Sequence, residues 1–157
     1  HYGSWIMAFP LPNPMRRALQ LAKTAADAGE VPVGAVVMQG DTVVAEAANM
    51  MRASGDPTDH AELRAIRAAL ESLGTGRLDG CDLWVTLEPC AMCAGAIAHA
   101  RLDRVYYGAP DEKGGAVEHG PRFFSQDTCH HRPEIYPGIG QDQAAALLRE
   151  FFQARRG

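Results

Sequence analysis

The chain has 157 residues, of which 46% are hydrophobic and 22% are charged, and its formal net charge is -4 at pH 7. This length and composition are typical of one globular domain with its own core, and they argue against a disordered protein. No uninterrupted apolar run approaches the roughly 18–20 residues of a membrane-spanning helix, and the overall charge does not by itself indicate nucleic-acid binding.

The N-terminus carries no pattern typical of a secretory signal. Residues 1–6 lack a basic segment that leads into an apolar stretch, and Met7 has the character of a natural start. We therefore interpret residues 1–6 as a cloning remnant and predict a single domain over residues 7–157. Without a signal sequence, we expect a cytoplasmic protein with reduced thiols and no membrane association.

The hydrophobic pattern predicts helices that alternate with strands along the chain. The first half contains a helix opened by Pro12 and Pro14 and closed by Gly29, strands over Val31–Met38 and Thr42–Ala48, and a helix over His60–Leu73. The second half contains a strand over Asp82–Leu87, a helix over Ala91–His99, a strand over Arg104–Gly108, an irregular segment over Pro110–Pro133 and a helix over Asp142–Arg156. This alternation predicts an α/β fold in which helices cover the faces of a sheet.

Two short clusters contain residues that bind metals. Cys90 and Cys93 form a Cys-x-x-Cys pair where a strand gives way to a helix, and His60 opens the preceding helix. The amide groups and dipole of a helix N-terminus lower thiol pKa values, which favours metal ligation. Three protein ligands leave one tetrahedral position for water, as in catalytic zinc sites. Zinc lowers the pKa of such a water toward ~7, and Glu62 is placed to carry its proton to a leaving nitrogen.

The four cysteines also permit other interpretations. Two disulfides are one, but a chain of this length does not need them. A redox dithiol is another, although the strand before Cys90 lacks a thioredoxin-like sequence. Each cluster alone is a weak signal, whereas the pair favours zinc because His60 and Cys90 each open a helix with a strand between them. Cys81 is predicted to be a buried or free surface thiol.

His60-Ala61-Glu62 followed by Pro89-Cys90-Ala91-Met92-Cys93 resembles the signature of the zinc-dependent cytidine/deoxycytidylate deaminase superfamily. From Met15 to Arg156 the chain resembles one of its families, the bacterial tRNA-specific adenosine deaminases (TadA type). The further stretches that carry this resemblance are Glu30–Val36, Asp56–Thr58, Leu83–Gly95, Tyr107–Ala109 with Asp111 and Lys113, and Leu147–Arg156. The superfamily signature alone also fits cytidine, cytosine and guanine deaminases.

The resemblance implies a three-layer α/β/α, cytidine-deaminase-like domain around a mixed five-stranded sheet. It implies that His60, Cys90 and Cys93 bind one Zn²⁺ per subunit and that Glu62 is the catalytic proton shuttle. Water would attack C6 of the wobble adenosine in the anticodon loop of an arginine tRNA, and loss of ammonia would give inosine.

Three further residues match family positions that bind substrate. The resemblance implies that Asn49 hydrogen-bonds the flipped base and that the backbone amide of Ala61 meets the base edge. It implies that Asp111 lies near the ribose, where a carboxylate can accept a hydrogen bond from a 2′-hydroxyl. Asn49 and Asp111 are also ordinary turn residues, and Pro110 departs from the polar residue that many relatives carry there.

The C-terminal helix contains candidate RNA contacts. The first hundred residues carry seven basic and eleven acidic side chains, whereas the remainder carries eight of each. Arg149, Arg155 and Arg156 accompany Phe151 and Phe152, and such groups pair with phosphates and stack on unpaired bases. In the alternative interpretation the phenylalanines belong to the core and the arginines are solvated. We predict that at least one phenylalanine is a core residue.

Two rival functions remain open at this stage. A deaminase of a free nucleobase or nucleoside, such as guanine or cytosine, would keep the same zinc ligands. A non-catalytic RNA-binding subunit with a structural zinc is a second rival, but it has no use for Glu62. The resemblance also implies a homodimer. Cys129, His130 and His131 suggest a second metal, which we do not predict because the family uses one zinc.

Overall fold

The computed structural model describes residues 10–156. The predicted cloning remnant at residues 1–6 lies outside the described residues, so the boundary at Met7 stays a prediction. None of the described helices is both long and apolar enough to span a bilayer.

Five helices and five strands make up the described part of the chain. The helices are α1 (Asn13–Asp27), α2 (Met51–Ser54), α3 (Ala61–Leu73), α4 (Ala91–Ala100) and α5 (Gln141–Arg156). The strands are β1 (Gly34–Gln39), β2 (Thr42–Ala48), β3 (Cys81–Leu87), β4 (Arg104–Ala109) and β5 (Glu134–Tyr136). A short 3₁₀ turn covers Phe123–Ser125 within the long segment between β4 and β5.

The strands form one mixed sheet in the order β2-β1-β3-β4-β5. Strand β1 is antiparallel to both of its neighbours, whereas β3, β4 and β5 are parallel to one another. Helix α4 provides the crossover between parallel strands β3 and β4. The predicted α/β class and the mixed five-stranded sheet are therefore confirmed.

Helices cover both faces of this sheet. Helices α1 and α5 pack on one face, while α3 lies on the other with α4 packed against it. The larger core lies on the α3–α4 side and includes Ile66, Leu83, Ile97 and Val105, all at most 4% exposed. Burial of aliphatic groups on this scale is the main force that holds the layers together.

Strand β1 is an interior strand of the sheet, and both of its faces are covered. Its residues 34–38 are all buried, as predicted for a valine-rich run. At Gly34 a β-carbon would lie 2.1 Å from the Ala18 carbonyl oxygen of α1. Only glycine therefore permits the helix to approach the strand this closely.

Three local features differ from the predicted elements. The strand predicted from Val31 begins at Gly34, because Pro32 has no N–H to donate and the Val33 N–H bonds the Val31 carbonyl. Helix α2 and strand β5 were not predicted. Strand β5 has only three residues and contains no apolar run that would predict it. It is held in place by pairing with β4 and by stacking of Tyr136 on Tyr106.

Candidate active site

Two helix N-termini meet at one edge of the sheet. His60 is the N-cap of α3 and Cys90 is the N-cap of α4, and both have extended backbone conformations. Helices α3 and α4 pack against each other, which brings His60 next to the Cys-x-x-Cys turn. The sheet order thus joins two motifs that lie 30 residues apart in the chain.

The three predicted ligands form a compact donor set. The Nδ1 atom of His60 lies 3.7 Å from Cys90 Sγ and 3.6 Å from Cys93 Sγ, and all three donor atoms lie within 4.8 Å of one another. Zn–N and Zn–S bonds at tetrahedral angles would place such atoms about 3.6 Å apart. One nitrogen and two sulfurs at this spacing fit a zinc ion.

The electrostatics of the donor set favour a thiolate. Hydrogen bonding from Cys93 lowers the pKa of Cys90 to about 4, against the effect of burial, and His60 adds to this shift. The pKa of Cys93 is raised because it shares a hydrogen bond with Cys90 and is buried. Hydrogen bonding to Cys90 raises the pKa of His60 above its usual value. Since the thiolate is the form that binds metal, this environment suits a cation.

Glu62 lies in the first turn of α3, beside the donor set. The residue is 4% exposed, and burial raises the pKa of its carboxyl to about 7, despite the opposing effects of the helix N-terminus and His60. A carboxyl with a pKa near neutrality both accepts and releases protons readily at the pH of the cell. This environment suits a general acid and base better than a structural ion pair.

His60, Cys90 and Glu62 line a single pocket that also contains every predicted base- and ribose-binding residue. The lining side chains are Val31, Val33, Asn49, Met51, His60, Ala61, Glu62, Leu87, Glu88, Cys90, Asp111 and Gly114. The apolar members come from the ends of β1 and β3 and exclude water from the acid. The fold therefore brings together predicted residues from four separate parts of the chain.

Asn49 lines this pocket and carries a buried acceptor without a partner among the described residues. Its side-chain nitrogen donates to the Val31 carbonyl at 3.3 Å, whereas Oδ1 is buried and has no partner among the described residues. A buried polar atom without a partner is costly unless a ligand supplies one. The geometry therefore goes beyond that of an ordinary turn asparagine.

Asp111 forms a turn and also lines the pocket. Its Oδ1 accepts hydrogen bonds from the backbone N–H groups of Lys113 and Gly114, at 3.2 and 2.9 Å. That arrangement is the turn expected in a glycine-rich loop. The same side chain lines the pocket, so its carboxylate is held at the mouth of the site.

Two buried acids were missed by the sequence analysis. Glu88 accepts hydrogen bonds from the segment that carries Asp111. Glu30 accepts from the N–H groups of Arg52 and Ala53 at 2.9 and 2.7 Å, and so fixes the first turn of α2. Both acids fell within stretches that carried the family resemblance, but no local pattern showed which backbone groups they would meet.

The five C-terminal candidates separate into two groups. Phe152 and Arg156 line a groove with Leu148, and that groove shares Val31, Leu87 and Asp111 with the pocket. Arg149 lines a second groove that also contains Phe152 and Arg156.

The other two candidates are bound within the chain. The guanidinium of Arg155 lies 4.2 Å from the centre of the Phe151 ring and donates to the Gly29 carbonyl at 2.6 Å. Phe151 is half-buried, Phe152 is 45% exposed and neither belongs to a core cluster. The prediction of a core phenylalanine was therefore wrong, because the Phe151 ring packs against the Arg155 guanidinium and Phe152 is exposed.

Three of the remaining cysteines and histidines lie in structural surroundings. Cys81 is fully buried, which confirms the first of its two predicted states. His131 bonds the Leu102 carbonyl at 2.6 Å, and Cys129 donates to the His131 carbonyl at 3.2 Å. These contacts tie the segment before β5 to the end of α4.

Known proteins with similar sequences identify the family. The MafB19-like deaminase family matches residues 12–156. The tRNA-specific adenosine deaminase of Agrobacterium fabrum is 53% identical over 142 residues, which cover 90% of this chain and 93% of that protein. The chain belongs to the tRNA-specific adenosine deaminase family. The predicted family and its deaminase class are thereby confirmed.

Solved structures agree with this family membership. A structure from a study of A-to-I editing by tRNA:A34 deaminases at the wobble position of transfer RNA has a TM-score of 0.85 and 52% identity, covering 86% of this chain and 98% of that chain. A guanine deaminase from Nitrosomonas europaea has a TM-score of 0.71 and 27% identity, covering 88% of this chain and 82% of that chain. The first match confirms the cytidine-deaminase-like fold, and the second finds that fold in a deaminase named for a free base.

Proposed function

We propose that the protein converts adenosine to inosine at the wobble position of a tRNA anticodon, with an arginine tRNA as substrate and one zinc ion per subunit. In this proposal residues 7–157 form a single deaminase domain. The observation that carries the proposal is the buried Glu62 beside the His60, Cys90 and Cys93 donors, in a pocket that can receive one base. The similarity to tRNA-specific adenosine deaminases supports a nucleotide within tRNA as the source of that base.

His60, Cys90 and Cys93 would hold the zinc. A zinc ion in such a site supplies Lewis acidity, which makes hydroxide available at neutral pH. Glu62 takes one proton from the attacking water and delivers it to the ring nitrogen of the base. It then carries the second proton, from the hydroxyl now on C6, to the departing amine, and its pKa near 7 suits both transfers. The overall reaction adds one water at C6 of adenine and releases ammonia.

The pocket walls orient the base for this attack. Asn49 Oδ1 accepts a hydrogen bond from the base, which provides the partner that this buried atom lacks in the free protein. The N–H of Ala61 can donate to a ring nitrogen, because the first N–H groups of an α-helix have no intrahelical acceptor. Val31 and Leu87 keep bulk water away from the reacting carbon.

The RNA would leave the pocket along the groove at the end of α5. Phe152 offers an exposed ring for stacking, and Arg156 and Lys113 provide positive charge beside it. Arg149 extends this charge along the helix. Arg155 and Phe151 would support the groove from within rather than contact RNA. Asp111 would accept a hydrogen bond from the ribose at the mouth of the pocket.

Turnover of defined substrates tests this proposal. We expect inosine in an arginine-tRNA anticodon stem-loop that carries a wobble adenosine, and no product when guanosine replaces that adenosine. Free guanine, cytosine and cytidine are assayed in parallel, because the fold is shared with a guanine deaminase. Rapid guanine conversion with an inert stem-loop would favour the free-base alternative. A panel of other tRNAs tests the arginine-tRNA specificity.

Substitution of the acid tests the mechanism. The change Glu62→Gln should lower kcat for the stem-loop by about 10²- to 10⁴-fold, because it removes the proton carrier. Glu71→Gln, on the exposed face of α3, is the matched control and should retain activity. Inosine formation at the normal rate by the Glu62 variant would contradict the mechanism.

Metal content tests the cofactor. We expect one zinc per chain by elemental analysis, loss of activity on chelation and recovery on readdition of zinc. Cys93→Ala should lose zinc, whereas Cys129→Ala should retain it. Full activity with well under half an equivalent of zinc would contradict the zinc proposal.

A further inference from the structure

The pocket contains a second buried acid, Glu88, whose surroundings differ from those of Glu62. Its side chain is fully shielded from solvent. Backbone N–H groups and the His119 ring surround its carboxylate with hydrogen bonds. Glu88 is thus an acceptor that is satisfied within the chain, whereas Glu62 lies beside the candidate metal ligands.

All hydrogen bonds to Glu88 come from one segment, residues 110–119, which we call the Asp111 loop. Oε1 accepts from the Asp111 N–H at 3.0 Å and pairs with the His119 Nδ1 at 2.7 Å. Oε2 accepts from three consecutive N–H groups, those of Val117, Glu118 and His119, at 3.1, 3.0 and 3.1 Å. Five donors occupy a carboxylate with about four lone-pair sites, so no capacity remains for substrate or proton.

The middle of the Asp111 loop packs directly against this carboxylate. At Gly115 a β-carbon would lie 2.5 Å from Glu88 Cδ and 2.5 Å from the Asp111 carbonyl oxygen. A glycine is therefore required for the middle of the loop to reach the acid. The hydrogen bonds to Glu88 join the two ends of the loop. Asp111, which makes the bond nearest the start of the loop, also lines the pocket.

We propose that Glu88 is a positioning residue that holds the Asp111 loop as one wall of the pocket. By fixing the place of Asp111, it determines how tightly the site binds the target ribose. This inference rests on the proposed function, in which Asp111 meets the 2′-hydroxyl. Glu88 touches neither the reacting atoms nor the ribose. Its loss should therefore weaken binding of the target nucleotide more than it slows the chemical step.

Two variants disrupt the contact between Glu88 and the Asp111 loop, one by changing the acid and the other by changing the loop. Glu88→Gln places an NH₂ group against at least two of the donors, whichever oxygen it replaces. Gly115→Ala leaves the acid in place but displaces the loop, and it lies far in sequence from the metal ligands. Glu71→Gln and Gly76→Ala are the matched controls, since Glu71 is exposed and a β-carbon at Gly76 would meet nothing within 4 Å.

The assay compares stem-loops that carry adenosine or 2′-deoxyadenosine at the target position. For the ribonucleotide we expect KM to rise about 10- to 100-fold in both variants, with kcat changed less than about threefold. For the deoxynucleotide the effect should be several-fold smaller, because the ribose contact is already missing. Zinc content should match the wild type. Glu88→Gln combined with Asp111→Asn should be no worse than the more severe single variant.

Several results would overturn the inference. These are a fall in kcat at unchanged KM, kinetics equal to wild type in both variants, equal losses on the two stem-loops, or additive losses in the double variant. Amide hydrogen exchange gives a readout that needs no turnover. Residues 111 and 117–119 should be protected in the wild type and exposed in both variants. If the wild-type protein is inert on the stem-loop, the proposed function fails, while unaltered protection in the variants would refute the positioning role.

Discussion

At the scale of single residues, chemically similar groups in the site differ in pKa because their surroundings differ. Glu62 and Glu88 are both buried acids, yet one has a pKa near 7 and the other is held ionised by five donors. Such a difference in environment suits Glu62 to the proposed proton transfer and Glu88 to the proposed support of the loop. Cys90 and Cys93 differ in the same way, because one shared hydrogen bond favours the thiolate of Cys90.

Asn49 gives the residue-scale prediction. Asn49→Ala removes both the free Oδ1 and the bond to Val31, and kcat/KM for the stem-loop should fall about 10- to 100-fold. Asn49→Asp keeps an acceptor for the base, but it replaces the donor to Val31 with an oxygen and adds a negative charge, so it should also fall below the wild type. Steady-state kinetics measure both. Equal activity of wild type and Asn49→Ala would exclude a substrate contact.

At the scale of elements, the helix termini create the site and a close helix–strand contact supports it. The N-caps of helices α3 and α4 are candidate metal ligands, His60 and Cys90, and neither makes a side-chain capping bond. Their stability therefore comes from packing against the sheet rather than from capping. On the opposite face, α1 holds β1 through the narrow contact at Gly34.

Gly34→Ala tests that contact. The added β-carbon meets backbone atoms of α1, which cannot rotate away, so we expect a loss of roughly 3 kcal/mol in the free energy of unfolding. Urea denaturation followed by circular dichroism measures it. Gly76→Ala should change stability by less than about 0.5 kcal/mol, because it lies in an open surface segment. If Gly34→Ala also changed the free energy of unfolding by less than about 0.5 kcal/mol, α1 would have moved away from β1 without loss of stability.

The end of α5 allows two arginines to be distinguished. Arg156→Ala should weaken stem-loop binding and reduce the slope of log K against log salt by about 0.7–1, because one phosphate contact is lost. Arg155 bonds Gly29 within the chain, so Arg155→Ala should lower stability more than it changes the salt slope. Fluorescence anisotropy at several salt concentrations gives the slopes, and Lys23→Ala on the exposed face of α1 is the control. An unchanged slope for Arg156→Ala would place the RNA elsewhere.

At the scale of the whole molecule, the family resemblance predicts a homodimer, and the surface of α4 offers a face for it. Met92 is 37% exposed and His99 is exposed, while Ala96 between them is half-buried. Sedimentation equilibrium should give twice the mass of one chain. Met92→Lys should shift the equilibrium toward the monomer, because a buried charge without a partner opposes association. A monomer at micromolar concentration would contradict the dimer.

The sequence by itself determined the candidate metal ligands, the candidate acid and the order of most elements. His60, Glu62, Cys90 and Cys93 were identifiable because each lies in a short motif whose spacing is set by one helical turn. The tertiary structure alone decided which groups meet them. Contacts between distant parts of the chain create strand β5 and place the buried acids Glu30 and Glu88. Such contacts also decide that Arg155 bonds within the chain while Arg156 lines a groove. Local pattern cannot encode such contacts, because a buried carboxylate acquires its role from the backbone groups that the fold brings to it.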